Sequence, residues 1–297
     1  MPLQKSGVFK PGKMTARTRG PLVAMRPGDR HMVRTFGPKE GQCNICGEIG
    51  RLTHDHSPPK SVVRPTPVSV RHIVELVAND KPASAGRLSQ NGLKFRTLCA
   101  RCNNQLLGLK YDPALANFCN SLTSILSSSL TLPRTVNVRC IPQRIMRAVF
   151  GHLAAQGVER HLKGPQTEIM RDAFLDESIL FPEGMRFYFW PFVHEDCVLF
   201  RDAAYSDIPT KKVFIIWLMK FFPVSFLIAW EDGPSPYFSL PRLCAWRRVS
   251  SSAEVDMPVP LVDLPPRYWP EAPTDRNVVM YGEGAMFATP HVRTAPT

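Results

Sequence analysis

A chain of 297 residues, 44% of them hydrophobic, can build one large or two ordinary domains, which excludes a wholly disordered protein. The N-terminus has no apolar run of signal-peptide length, and eight cysteines are too few for a disulfide scaffold, so we do not expect secretion. Residues 1–111 carry 19 Lys and Arg against 6 Asp and Glu, whereas residues 112–297 carry 18 against 19. This asymmetry predicts a polyanion-binding first third, and a solvated basic face is the alternative.

The first segment of the chain differs in composition from the rest. Residues 1–40 are rich in Lys, Arg, Pro, Gly and Thr without a sustained apolar period, which predicts a basic, Pro- and Gly-rich arm. Such an arm adds affinity for phosphates without reading sequence. A tail without a partner is an equally good interpretation.

Residues 41–115 predict a compact metal-binding module. A turn at "CNICG" is followed by a strand at "RLTHDH" and, after an insert, by a second strand at "LKFRTL". A helix is expected from about Arg101. Within the insert, "SVRHIVELVAND" (69–80) has apolar residues at helical spacing and predicts a further helix.

Residues 116–250 predict a larger α+β domain of unknown role, with helices first and strands after about residue 185. Lys220 lies in the apolar stretch 213–230 and would cost about 2.5–3.5 kcal/mol in a bilayer, so a buried strand pair is favoured over a membrane span. Residues 251–297 predict a Pro-rich irregular tail. The expected fold class is therefore α+β, with a small zinc module followed by a larger mixed helix-then-strand domain.

Two Cys-x-x-Cys pairs, Cys43/Cys46 and Cys99/Cys102, can each bind a metal ion from a tight turn. Four thiolates form the closed tetrahedral site that is typical of structural Zn²⁺, and two unrelated pairs of buried thiols are the alternative. Pairs of this kind also indicate a reducing compartment. The remaining cysteines have no paired spacing, and we expect ordinary buried side chains at Cys119, Cys140, Cys197 and Cys244.

Three separated motifs resemble those of the zinc-bound HNH endonuclease family. They are "CNICG" (43–47), "DHSPP" (55–59) and "LCARCNN" (98–104), and they occur in the order found in the family. The match covers about a quarter of the chain. The resemblance implies a treble-clef, ββα-metal fold, a structural zinc ion on the four cysteines and hydrolysis of phosphodiester bonds.

The resemblance also implies roles for individual residues. His56 is implied as the general base, since a neutral imidazole can take a proton from water near neutral pH. Asp55 and Asn103 are implied as ligands of a catalytic Mg²⁺ or Mn²⁺ ion, which prefers oxygen ligands. Zinc would hold the strand and the helix together without taking part in the chemistry. Asn104 replaces Asn103 as the ligand if the helix begins one residue later.

The remaining candidates follow from their positions around these motifs. Strand alternation alone places Asp55 and His56 on opposite faces, so we expect a twist or bulge there. Asn91 is the nearest candidate for the family's base-orienting asparagine, because Lys94 stands at the usual position. His54 is expected to be an exposed bystander, with phosphate contact as the alternative. The candidates for nucleic-acid contact are Lys60, Arg96 and Arg101.

The sequence therefore predicts a metal-dependent HNH-type endonuclease that cuts DNA in the cytoplasm, associated with the nucleoid. A non-catalytic, zinc-dependent nucleic-acid-binding or regulatory protein and a nuclease acting on RNA are the alternatives. No membrane contact is expected, and a homo-oligomer or an accessory protein as partner is left open. Free-standing nucleases joined to a private domain resemble phage-defence or mobile-element proteins, which is an association only.

Overall fold

The computed structural model describes residues 34–77, 86–233 and 235–291. Residues 31–297 form one compact unit, and residues 1–30, with most of the expected basic arm, lie outside the described residues. The described elements are, in chain order, β1 (Glu40–Gln42), β2 (Ile49–His56), β3 (Val68–His72), α1 (Ile73–Val77), β4 (Arg87–Ser89), β5 (Lys94–Cys99), a π-helix (Arg101–Tyr111), α2 (Asp112–Leu126), β6 (Thr135–Cys140), α3 (Pro142–Ala155), α4 (Pro165–Leu175), β7 (Met185–Pro191), β8 (Cys197–Asp207), β9 (Lys212–Phe221), β10 (Val224–Trp230), a 3₁₀ turn (Leu243–Trp246), β11 (Val255–Pro260), β12 (Asn277–Met280) and β13 (Met286–Pro290).

The fold class is α+β, with helices and antiparallel sheets, as the sequence predicts. A three-stranded sheet in the order β1-β2-β5 forms the first layer of the site, and the strands expected at "RLTHDH" and "LKFRTL" are β2 and β5. The helix expected from Arg101 follows β5 directly and is wound as a π-helix before it continues as α2. π-Helical turns are rare in proteins, but many of those that occur are at functional sites.

The larger sheet contains eight strands, with β4-β3-β13-β8-β9-β10-β7 as its path and β12 paired to β8. The strand pair expected over residues 213–230 is the hairpin β9–β10, in which Val224 faces Phe221. Lys220 on β9 is fully buried, and its Nζ lies 2.6 Å from the Glu271 carboxylate and 3.0 Å from the Trp269 carbonyl. The ammonium group is thus satisfied inside the protein. Within the described ranges, no helix has both the length and the apolar character needed to cross a membrane.

Two segments differ from the sequence-based expectation. The start of the segment 69–80 belongs to strand β3, and only Ile73–Val77 is helical, while residues 78–80 lie outside the described ranges. Residues 251–297, expected to be irregular, contain β11, β12 and β13. Both differences arise from long-range strand pairing, because β13 pairs with β3 and β8, β12 pairs with β8, and β11 pairs with β6. The domain boundaries drawn from the sequence stay a prediction.

Helix α3 lies inside the molecule and positions part of the site. It begins at Pro142, where the missing N–H costs no hydrogen bond, and all of its residues except Arg144 are buried. A Cβ at Gly151 would lie 2.5 Å from Leu107 Cδ2 and 2.7 Å from Phe174 Cε2. Only glycine therefore lets α3 approach the π-helix so closely, and the next residue along α3 is His152.

Candidate active site

Four cysteine sulfurs meet beside the small sheet. The Sγ atoms of Cys43, Cys46, Cys99 and Cys102 lie within 4.8 Å of one another. Hydrogen bonds among the four thiols lower the pKa values of Cys43 and Cys99 and raise those of Cys46 and Cys102, as is expected of neighbouring thiols that share protons. The cluster can therefore hold a metal ion such as Zn²⁺, as the spacing predicts. The other cysteines are free and buried or half-buried, as expected for Cys119, Cys140, Cys197 and Cys244.

A tight turn and the start of a helix bring the sulfurs together. The backbone N–H of Gly47 donates to the carbonyl of Cys43 at 3.1 Å, and Gly47 has φ = +78°, a conformation that favours glycine. Cys99 ends β5, and Cys102 lies in the first turn of the π-helix. The cluster thus joins the cysteine turn, the antiparallel pair β2–β5 (from here on called the hairpin) and the π-helix at one point.

The pairing of β2 with β5 contains a bulge, whose extra residue is Thr97 on β5. The β2–β5 register shifts between Thr53 and His54, and the strand ends at His56 before Pro58. This shift lies before the Asp55–His56 step, where strand alternation predicts a twist or bulge, and both residues pair in regular register with β5. Asp55 and His56 nevertheless line the same cavity at the end of the strand.

This cavity, of about 270 Å³, lies between the end of β2 and the helix that follows β5. Its walls include Asp55, His56 and Asn103, which the sequence predicts, and also Asp112 at the start of α2. An adjoining and mostly apolar cavity of about 610 Å³ shares His56 as part of its wall. The imidazole therefore stands between a polar cavity and an apolar one.

Asp55 is only 3% exposed and is held by two donors. Its Oδ2 accepts a hydrogen bond from Ser57 Oγ at 3.0 Å and lies 2.9 Å from His152 Nδ1. The other ring nitrogen of His152, Nε2, lies 2.9 Å from Asp112 Oδ1. In the described part of the chain, Asp55 Oδ1 accepts no hydrogen bond, so this oxygen is left to the cavity.

The imidazole of His152 is 0% exposed and carries the proton of this carboxylate–imidazole–carboxylate group. Burial opposes protonation, but the carboxylates of Asp55 and Asp112 outweigh it and raise the pKa of His152 to about 10. Burial also raises the pKa of Asp55, which would favour a neutral carboxyl. We assign the proton to His152, because ionised carboxylates only accept hydrogen bonds and only the imidazolium donates from both nitrogens.

The ring of His56 is 8% exposed, and its Nε2 has no hydrogen-bond partner among the described residues. Burial and the charges of Lys60 and Lys94 lower the pKa of His56 to about 4, while the backbone of Asn91 acts in the opposite direction. His56 is therefore neutral at pH 7, and its unpaired Nε2 is buried.

Asn103 is buried and bridges the helix to the hairpin. Its Nδ2 donates to Thr53 Oγ1 and to the His54 carbonyl, both at 2.9 Å. These bonds leave Oδ1 without a donor from the described residues, and Asn103 lines the cavity. Asn104 is exposed and does not line it, so Asn103 is the better placed of the two candidates. The exposed Asn91 lies near His56 through its backbone, and the structure records no side-chain contact that would orient the base.

The basic side chains near the cavity differ in whether protein groups already occupy them, which determines whether they can bind a polyanion. Lys60 lines the cavity, and Lys94 lies 5.8 Å above the ring of Phe36. Arg96 Nε and Nη2 both donate to the Gly37 carbonyl, at 2.8 and 2.5 Å, so this side chain is occupied. Arg101 lies 3.6 Å from Glu48, and both side chains are exposed. His54 is exposed and packs edge-on against Phe36, with 5.5 Å between ring centroids.

Three residues of the site were missed by sequence reasoning: Asp112, His152 and Lys94 as a charge near the base. Asp112 precedes a proline and His152 is a single histidine in an apolar helix, and neither pattern carries a recognisable spacing. Only the three-dimensional contact between α3 and the hairpin reveals them.

Comparison of this chain with protein-family models, with curated proteins and with solved structures finds no match. Its function has to be inferred from the residues of the site.

Proposed function

We propose that this protein is a metal-dependent endonuclease of the HNH type that hydrolyses phosphodiester bonds of DNA. The observation that carries the proposal is the convergence of Asp55, His56 and Asn103 on one cavity beside the four clustered thiols. A module that only bound nucleic acid would need neither an unpaired imidazole nitrogen nor two oxygen atoms able to bind a metal ion at this cavity. The order of cysteine turn, hairpin and helix also fits the treble-clef, ββα-metal arrangement.

The oxygen atoms at the cavity suit a hard divalent cation. Asp55 Oδ1 and Asn103 Oδ1 accept no hydrogen bond from the described residues, and Asp112 adds a second carboxylate at the wall. Mg²⁺ and Mn²⁺ prefer such ligands, and Asp55 and Asn103 would hold the ion. When bound, the ion would stabilise negative charge on the scissile phosphate and the leaving oxygen.

His56 would act as the general base. Its unpaired Nε2 and its pKa of about 4 leave the ring ready to accept the proton of an attacking water at neutral pH. A low pKa also limits the strength of the base, so the orientation of the water would matter as much as the proton affinity. Lys60 and Lys94 would attract the phosphate backbone towards the cavity.

The proposal is tested by incubating the zinc-loaded protein with supercoiled plasmid, single-stranded DNA and single-stranded RNA, each with Mg²⁺ or Mn²⁺. We expect nicked or linear plasmid with either ion and intact plasmid when no divalent ion is added. Cleavage of RNA with intact DNA would overturn the choice of substrate while keeping the reaction.

A non-catalytic zinc-dependent nucleic-acid-binding protein is the second candidate, and one observation favours it. The amide of Asn103 and the carboxylate of Asp55 both have protein partners, so they also serve the fold. Plasmid that is bound, as seen by a gel shift, but never cut with any divalent ion would favour this candidate over the nuclease.

A further inference from the structure

His152 lies outside the three motifs, yet it makes the closest contact to the acidic residue of the site. The contact between His152 Nδ1 and Asp55 Oδ2 is 2.9 Å long and joins residues 97 positions apart in the chain. Both nitrogens of the buried ring contact carboxylates, since Asp112 Oδ1 lies 2.9 Å from Nε2. A buried ring with carboxylates at both ends has one orientation that satisfies it, so its position is well defined.

Helix α3, which carries His152, is tied to the zinc module by further hydrogen bonds. Thr97 Oγ1 on β5 donates to the Ala155 carbonyl at 2.6 Å, and Asn44 Nδ2 in the cysteine turn donates to the Ala154 carbonyl at 3.2 Å. On the opposite side, Gly151 permits the close approach to Leu107 of the π-helix. The ring thus reaches Asp55 from a helix that is held by β5, by the cysteine turn and by its close packing on the π-helix.

These contacts fix the orientation of the Asp55 carboxylate. Ser57 and His152 both bond to Oδ2, which prevents the carboxylate from rotating and leaves Oδ1 at the cavity. A metal ligand whose second oxygen is held in this way loses less freedom on binding the ion.

We propose that His152 is a positioning residue that holds Asp55 for a divalent cation, and that Asp112 in turn holds His152. The inference rests on the proposed function, because Asp55 is the ligand that the proposed reaction requires. It adds that the metal site is incomplete without α3, so the motif segment 41–115 does not contain the whole centre.

Two values are measured for the zinc-loaded, full-length protein. The first is the Mn²⁺ dissociation constant, determined by electron paramagnetic resonance without nucleic acid. The second is the Mn²⁺ concentration that gives half-maximal plasmid cleavage. The variants are His152→Gln, which removes the imidazole, and Asp112→Asn, which keeps an oxygen acceptor for Nε2. Asp55→Asn identifies the site that is being titrated. Met146→Ala is the control, because Met146 is a buried residue of α3 outside the cavity.

We expect His152→Gln to raise the Mn²⁺ dissociation constant and the half-maximal concentration by about 10–100-fold, the usual effect of losing a partner of a metal ligand. Saturating Mn²⁺ should restore most of the cleavage rate, which a general loss of folded structure would not allow. Asp112→Asn should shift both values in the same direction by less, and Met146→Ala should melt at a lower temperature with both values unchanged.

If wild-type protein binds Mn²⁺ through Asp55 and folded His152→Gln has the same Mn²⁺ dissociation constant, the role of His152 is refuted. The proposed function is not affected by that result. If His152→Gln does not fold, Asp112→Asn decides in the same way, since an unchanged constant there removes the link through His152. Wild-type protein whose Mn²⁺ binding does not depend on Asp55 would instead refute the proposed function and this inference with it.

Discussion

Replacement of Cys99 by serine tests whether the four-cysteine cluster holds the site together. Structural zinc sites contribute about 10–16 kcal/mol of apparent binding free energy, whereas whole proteins are stable by about 5–15 kcal/mol. If half of the zinc-binding free energy is lost with one ligand, about 5–8 kcal/mol disappears. Cys43 and Cys102 are 0% exposed and belong to the main apolar core, so the disturbance reaches the interior. We expect Cys99→Ser to lose zinc and either unfold or melt at least about 10 °C lower.

Cys197→Ser is the matched control, because Cys197 is also half-buried and on a strand but lies outside the cluster. It should keep one zinc ion per chain and lose only about 1–3 kcal/mol, the cost of burying an unpaired hydroxyl. Zinc is measured by elemental analysis and stability by thermal unfolding followed with circular dichroism. A Cys99→Ser protein with a full zinc content and the wild-type melting temperature would show that Cys99 is not a ligand of a structural zinc ion.

Three further predictions concern the cavity itself. Asn103→Ala should reduce plasmid cleavage by about 10–100-fold, whereas Asn104→Ala at the exposed neighbour should cleave like wild type; equal rates in both would argue against Asn103 as a ligand. The His56 ring should titrate near pH 4 in NMR spectra, and an ordinary pKa of 6.5 would contradict its burial. Its contribution to stability should fall as the pH drops from 6.5 towards 4, because the unfolded chain takes up the proton first. Lys60→Ala should lower the slope of log affinity against log salt by about 1, and exposed Lys212→Ala should leave it unchanged.

The strands and the helix that carry the motifs are predictable because their signals are local. The cysteine pairs and the prolines after His56 lie within a few residues of the features they specify. The four-thiol cluster is correspondingly confirmed at all four predicted positions. The twist or bulge expected between Asp55 and His56 is not found at that step, because the register shift lies between Thr53 and His54.

The segment 69–80, which follows the second motif, is harder to predict because its structure depends on a distant partner. The apolar spacing of Val70 and Ile73 fits a helix, but β13 pairs with Val68–His72 and draws these residues into the larger sheet. No local pattern identifies β13, which lies in a segment rich in proline and charge.

Asp112 and His152 could not be predicted for a similar reason. An isolated histidine within an apolar helix is usually a satisfied core residue, and an aspartate before a proline is usually a helix start. Their role depends on the packing of α3 against the hairpin, which brings residues 55 and 152 into contact. The resemblance to the motifs of a nuclease family covers only the segment that ends before them.

In the proposed reaction, His56 activates water at a metal site formed by Asp55 and Asn103. The most direct test compares plasmid cleavage by wild-type, His56→Ala and His54→Ala proteins of equal zinc content in Mn²⁺ and in Mg²⁺. His54→Ala should cleave much faster than His56→Ala, because the exposed His54 ring packs edge-on against Phe36, although His54 also lines the cavity. His56→Ala should be slower than wild type by about 10²–10⁴-fold with an unchanged fold. Equal cleavage by His56→Ala and wild type, or no cleavage by wild type with either ion, would contradict the claim.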